Sequence, residues 1–82
     1  MHAKDETLDL LEPLLEKIRI LGKLKEKKRG IFYNKSIAFL HFHQEENDIF
    51  ADLKVDEKWL RFPSNNDVDW EKILDKIKFI LK

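Results

Sequence analysis

The sequence predicts an α+β domain: a two-layer sandwich in the order α-β-β-β-β-α, with both helices on one face of a four-stranded antiparallel meander. Three observations predict it. Leu11, Leu14, Leu15, Ile18 and Leu21 recur every three or four positions, which draws one apolar stripe along a helix. Trp70, Ile73, Leu74, Ile77, Ile80 and Leu81 do the same near the other end. Between them, residues 31–62 form four short aromatic-rich runs separated by polar turns, the pattern of strands joined by hairpins.

A chain of 82 residues makes one small domain, here 1–82, with a modest core. It contains no cysteine, so neither disulfides nor a thiolate zinc site can support the fold, and packing must do so alone. Sixteen basic and sixteen acidic residues cancel, which argues against a strong non-specific polyanion binder. The opening MHAKDETLD has no apolar h-region, and no apolar run approaches a membrane span. The expectation is a soluble cytoplasmic protein with no membrane partner and no cofactor.

Residues 1–6 are expected to fray. The first helix is expected from about Glu12 to Gly22, or from a turn capped by Thr7 with a bend at Pro13, because proline is tolerated only in a first turn. Gly22 is the C-terminal stop. Residues 23–29 (KLKEKKR) read as a solvated basic connector. A meander would bring Lys27, Lys28 and Arg29 to the acidic tip Glu45-Glu46-Asn47-Asp48, where their field is neutralised. Strands are predicted over 31–33, 36–44, 49–55 and 58–62, with turns at Asn34-Lys35 and Asp56-Glu57 and an end at Pro63. Ser64, Asn65 and Asn66 then offer caps, and Asp67, Asp69 and Glu71 load a helical first turn with negative charge.

Strand 49–55 sets the orientation. Ile49, Ala51, Leu53 and Val55 face one way, and Phe50, Asp52 and Lys54 the other. Pairing across the two adjoining hairpins adds Ala38, Leu40, Phe42, Leu60 and Phe62 to the core face. The opposite face should then carry Phe32, Ile37, Phe39, His41, His43, Phe50, Asp52, Lys54, Trp59 and Arg61. His41, Asp52 and Arg61 would form one row across three strands, and Phe39, Lys54 and Trp59 the next. No segment remains to cover this apolar patch rimmed by charge, and such patches mark interaction surfaces.

His41 and His43 are the sharpest local pair. Two histidines two apart on a strand share a face and could ligate one metal, with Asp52 or Glu45 as a third group. The blander reading pairs His41 with Asp52 on a half-exposed sheet, and no metal is assigned. His41 beside a carboxylate could also act as a general base. No serine or cysteine nucleophile, oxyanion donor or phosphate loop accompanies it, so no catalytic residue is assigned and the reading leans away from an enzyme. The Phe39–Lys54–Trp59 row could hold a cation or stack a base, or simply stabilise the sheet through cross-strand aromatic and cation–π pairs.

The strings EKKRGIFYNKSIAFLHFH, FADLK and RFP, spanning residues 26–63, resemble a small family of bacterial proteins of unknown function. Its members share a Gly-x-Phe-Tyr, an Ala-Phe-Leu-His-Phe-His strand and an Arg-Phe-Pro exit. The resemblance implies the α+β meander and no activity. More distantly, the order of helix, basic turn and lysine-rich meander is similar to YjbR-like proteins, a fold linked to DNA binding. No functional residue is carried over from either.

The favoured expectation is a non-catalytic interaction module acting through the outer sheet face (Phe39, His41, His43, Phe50, Asp52, Lys54, Trp59 and Arg61), with a protein partner or a second copy as a homodimer. The alternative is a nucleic-acid or small-anion binder using Lys27, Lys28 and Arg29. The third is a metal or small-ligand site at His41 and His43.

Overall fold

The computed structural model describes residues 3–82. Helix α1 (Asp5–Leu21) leads into five strands, β1 (Lys25–Lys28), β2 (Ile31–Asn34), β3 (Ile37–Glu45), β4 (Asp48–Val55) and β5 (Lys58–Pro63), and helix α2 (Asp67–Ile80) closes the chain. The strands form one antiparallel sheet in the order β1-β2-β3-β4-β5. One core unites Leu8, Leu11, Leu14, Leu15 and Ile18 of α1, Ile73, Leu74 and Ile77 of α2, and one face of the sheet. The fold is the expected two-layer α+β sandwich with one strand more. No helix among the described residues is long and apolar enough to cross a membrane.

The additional strand is the basic connector. Lys25 and Glu26 pair with Tyr33 and Phe32. Glu26 therefore shares the helix-facing side with Phe32, and it accepts from Arg19 Nε at 2.6 Å and from the Gly30 amide at 2.8 Å. Gly30 turns the hairpin at φ 78°, and a Cβ there would meet Leu8 Cδ2 at 2.6 Å. No apolar alternation marks this strand, because its three lysines are exposed and its partly buried position is Glu26, neutralised by Arg19. Arg29 is not neutralised by the 45–48 tip. It donates to Asp9 at 2.7 Å and Glu12 at 2.9 Å, both on α1.

Helix α1 also starts earlier than expected. It begins at Asp5 and carries Pro13 in its interior. The Ala3 amide donates to the Phe42 carbonyl at 3.2 Å, so residues 3–6 are tied down rather than frayed, and residues 1–2 lie outside the described residues. Buried Thr7 and Leu8 anchor the first turns, which outweighs the one amide that proline removes. Gly22 ends the helix at φ 67°, as expected. At α2, the Asn66 side chain accepts from the Asp69 amide while Asp69 accepts from that of Asn65, both at 2.9 Å. Lys17 lies 4.0 Å from Glu71 and Lys23 donates to the Leu81 carbonyl, so the two helices run side by side in the same direction.

The register of β3 against β4, and of β4 against β5, is the expected one: Leu40 faces Leu53, Phe42 faces Ala51, Leu60 faces Leu53 and Phe62 faces Ala51. The first turn sits one residue later than expected, at Lys35-Ser36. Asp56 and Glu57 form the last turn with φ 50° and 69°, a hairpin geometry whose twist suits the flanking strands.

Between β2 and β3 the parity breaks. Phe32 faces Leu40 and Tyr33 faces Ala38, which leaves Phe39 as an extra residue in a bulge. Phe32 and Phe39, both expected on the outer face, consequently lie in the core at 1% and 4% exposure. Ala38 moves to the outer side with Tyr33. Ile37 is exposed beside Phe39 and Ile80, lining a cavity of about 390 Å³ at the end of the sheet. Leu60 has the expected parity but is 40% exposed, because β5 is an edge strand.

Candidate functional site: the outer face of the sheet

Seven of the eight outer-face residues singled out from the sequence do share that face; Phe39 does not. The row His41–Asp52–Arg61 is formed across β3, β4 and β5. Asp52 is its anchor. Its carboxylate accepts from Arg61 Nε at 2.9 Å and Nη2 at 3.2 Å, and His41 Nδ1 lies 3.7 Å from its second oxygen. Such a two-pronged grip matches the planar fork of the guanidinium. Donating to the Asp52 carboxylate raises the Arg61 pKa, so Arg61 stays charged throughout the physiological range.

Asp52 is only 5% exposed although no helix or strand among the described residues covers this face. Its cover comes from side chains. Trp59 leans across β4 until its ring meets that of His41, with centroids 4.6 Å apart and planes tilted by 55°. Lys54, opposite Trp59 in the ladder, lies 5.7 Å from the indole centroid. Arg61 lies 5.3 Å above the Phe50 ring. His43 Nε2 is 3.2 Å from Glu45 Oε1, and Arg61 Nη1 is 3.5 Å from the same oxygen. Glu45, the last residue of β3, continues the 41, 43, 45 alternation and contacts both His43 and Arg61. That alternation was the available signal.

A further pair was missed because β1 was missed. Lys27 lies 4.3 Å over the Tyr33 ring. Among the described residues the outer face thus carries three cation–ring pairs, one on each of Tyr33, Trp59 and Phe50. The proposed anion site is dispersed by comparison: Lys27 sits on Tyr33, Arg29 is held by α1, and Lys28 is exposed on the edge strand. Among the described residues no group of three histidine, cysteine or acidic side chains is arranged to hold a metal. His41 and His43 instead face Asp52 and Glu45, one carboxylate each.

Chemically, this arrangement is a preorganised array of charged and aromatic groups. Its charged groups are fixed by one another, and its exposed aromatic, Trp59 at 43%, stands at the margin of the sheet. Comparison of the chain with protein-family models, with curated proteins and with solved structures yields no match.

Proposed function

We propose that this chain is a non-catalytic interaction module that engages a protein partner, a second copy of itself in the first instance, through the outer sheet face and the β5 edge that borders it. The observation that carries this reading is the pair Trp59 and Arg61. Both are more than two-fifths exposed in their own terms, 43% for the residue and 42% for the side chain, yet both are held in place by His41 and Asp52. Tryptophan and arginine dominate the energetics of protein interfaces, and a prepositioned side chain has less freedom to lose on binding. Its proposed compartment is the cytoplasm, since a chain without cysteine needs no oxidising environment to fold.

Sedimentation equilibrium tests this reading. The protein is expected to self-associate reversibly, and Trp59→Ala is expected to shift it to monomer while the far-ultraviolet spectrum is retained. A strict monomer at high concentration removes it.

The three cation–ring pairs favour a second reading, in which the same face stacks the bases of a single-stranded nucleic acid while Lys27, Lys54 and Arg61 track its phosphates. In a Trp70→Phe background, Trp59 fluorescence should then be quenched by an oligonucleotide, and salt should reverse the quenching steeply. An unchanged spectrum at low salt dismisses it.

A further inference from the structure

The two edges of the sheet are built differently. β1 is four residues long, reads Lys-Glu-Lys-Lys, and is interrupted by a bulge at Lys27. Short length, lysines and bulges are the devices by which an edge is kept from pairing with another chain. β5 confines such devices to its ends, Lys58 and Pro63: it is six residues long, its ladder is regular, and Trp59, Leu60 and Phe62 give its middle an apolar sequence.

The free hydrogen-bonding groups of β5 can be placed. The Ser64 amide donates to the Ile49 carbonyl at 2.8 Å, one step beyond the Phe50–Pro63 pair. Backbone groups alternate sides along a strand, so Lys58, Leu60 and Phe62 direct theirs toward β4. Trp59 and Arg61 direct theirs outward. Pro63, which has no N–H, falls in the outward set and costs the β4 ladder nothing.

We propose that β5 pairs with β5 of a second copy, antiparallel about a two-fold axis at Leu60, to make one continuous ten-stranded sheet. This deepens the self-association reading above and rests on it. The register follows from the residues. Only residues with outward groups can bond, which restricts the axis to Trp59, Leu60 or Arg61. An axis at Arg61 sets two guanidinium groups opposite each other. An axis at Trp59 brings Glu57, a turn residue at φ 69°, into the ladder. With the axis at Leu60, Trp59 bonds to Arg61 of the second copy and Arg61 to its Trp59, four backbone hydrogen bonds in all by symmetry. Leu60 then meets Leu60 on the helix side, covering a leucine that is 40% exposed in the single chain. On the outer side Trp59 of each copy stands opposite Arg61 of the other, so no like charges face across the axis while the indole stays on His41 and the guanidinium on Asp52. Pro63 lies just outside the paired residues.

The test exploits the absence of cysteine. Leu60→Cys places a single thiol on the axis, where facing Cα atoms in a non-bonded antiparallel pair lie about 4.5 Å apart, within disulfide range. Under mild oxidant it is expected to form a covalent dimer roughly tenfold or more faster than Ile37→Cys, whose thiol would be at least as exposed but off the axis. In the unmodified protein, hydrogen exchange at the Trp59 and Arg61 amides should slow as concentration rises, while Leu60, already bonded to β4, stays constant. A dimer in which those two amides remain unprotected and Leu60→Cys gains no advantage overturns the edge pairing and keeps the self-association reading. A strict monomer overturns both, and protection of those amides only by an added foreign strand would assign the edge to a different occupant.

Discussion

The Trp59 indole rests against the His41 imidazole, with ring centroids 4.6 Å apart, although β4 runs between their strands. The contact is diagonal, and what lies beneath it is Asp52. A carboxylate on an uncovered sheet face is thereby held at 5% exposure with Arg61 as its counter-ion. Removing Arg61 leaves that charge desolvated and without its two-pronged donor. Arg61→Ala is accordingly expected to lower the urea midpoint more than Lys54→Ala, whose cation merely sits over a ring. The double variant Asp52→Asn/Arg61→Ala should recover part of the loss, because the stranded charge is gone. Equal midpoints for the two single variants would show that Asp52 does not depend on Arg61.

The bulge makes a prediction opposite to simple alternation. Phe39→Ala is expected to cost about 3–5 kcal/mol, the ordinary range for emptying a buried phenylalanine site. His43→Ala, two strand positions past His41 on the outer face, should cost less than about 1 kcal/mol. Leu40→Asp should unfold the domain, since it adds a buried charge to the lost packing. Chemical denaturation of the three variants decides the matter, and a neutral Phe39→Ala would place that ring outside the core.

Gly30 is required twice, by its φ of 78° and by the proximity of Leu8. Gly30→Ala is expected to destabilise by about 1–3 kcal/mol through strain and overpacking together. Coupling to Leu8→Ala is the check: shortening Leu8 should relieve the clash but not the dihedral strain, so the double variant loses less than the sum.

Acid should loosen α1 from the β1–β2 hairpin. Hydrogen bonds from Arg19 to Glu26, and from Arg29 and Arg19 to Glu12, hold both carboxyl groups below their ordinary value of 4.5. A carboxylate whose folded pKa is depressed contributes its full stabilisation above the unfolded value. That contribution disappears as pH falls from about 4.5 through the depressed folded values. Thermal melts between neutral pH and acid should show the melting temperature falling in that window. In Glu26→Gln the neutral-pH stability is lower and the fall is shallower. An unchanged pH profile in that variant would remove Glu26 from the linkage.

Buried Ser64 offers a control in the other direction. Its hydroxyl has no hydrogen-bond partner among the described residues. Ser64→Ala should therefore leave stability within about 0.5 kcal/mol of the parent, or raise it, as measured by the same denaturation midpoints.

The sequence by itself determined the two helices, the meander, the registers of β3 with β4 and β4 with β5, and the His41–Asp52–Arg61 row. These follow from period-two and period-3.6 patterning joined by two short turns, and a slip of one residue would have driven Asp52 or Lys54 into the core. Three things were decided only in three dimensions. β1 exists because Arg19, seven positions earlier on α1, neutralises Glu26, a partnership that no local pattern records. Phe32 and Phe39 moved into the core because a single unpaired residue in β3 reverses parity, and an aromatic reads equally well on either face. The concealment of Asp52 arose because Trp59 could reach across a whole strand to His41. Each depended on the spatial meeting of residues whose separate sequence signals were ordinary, and burial, not spacing, selected among the alternatives.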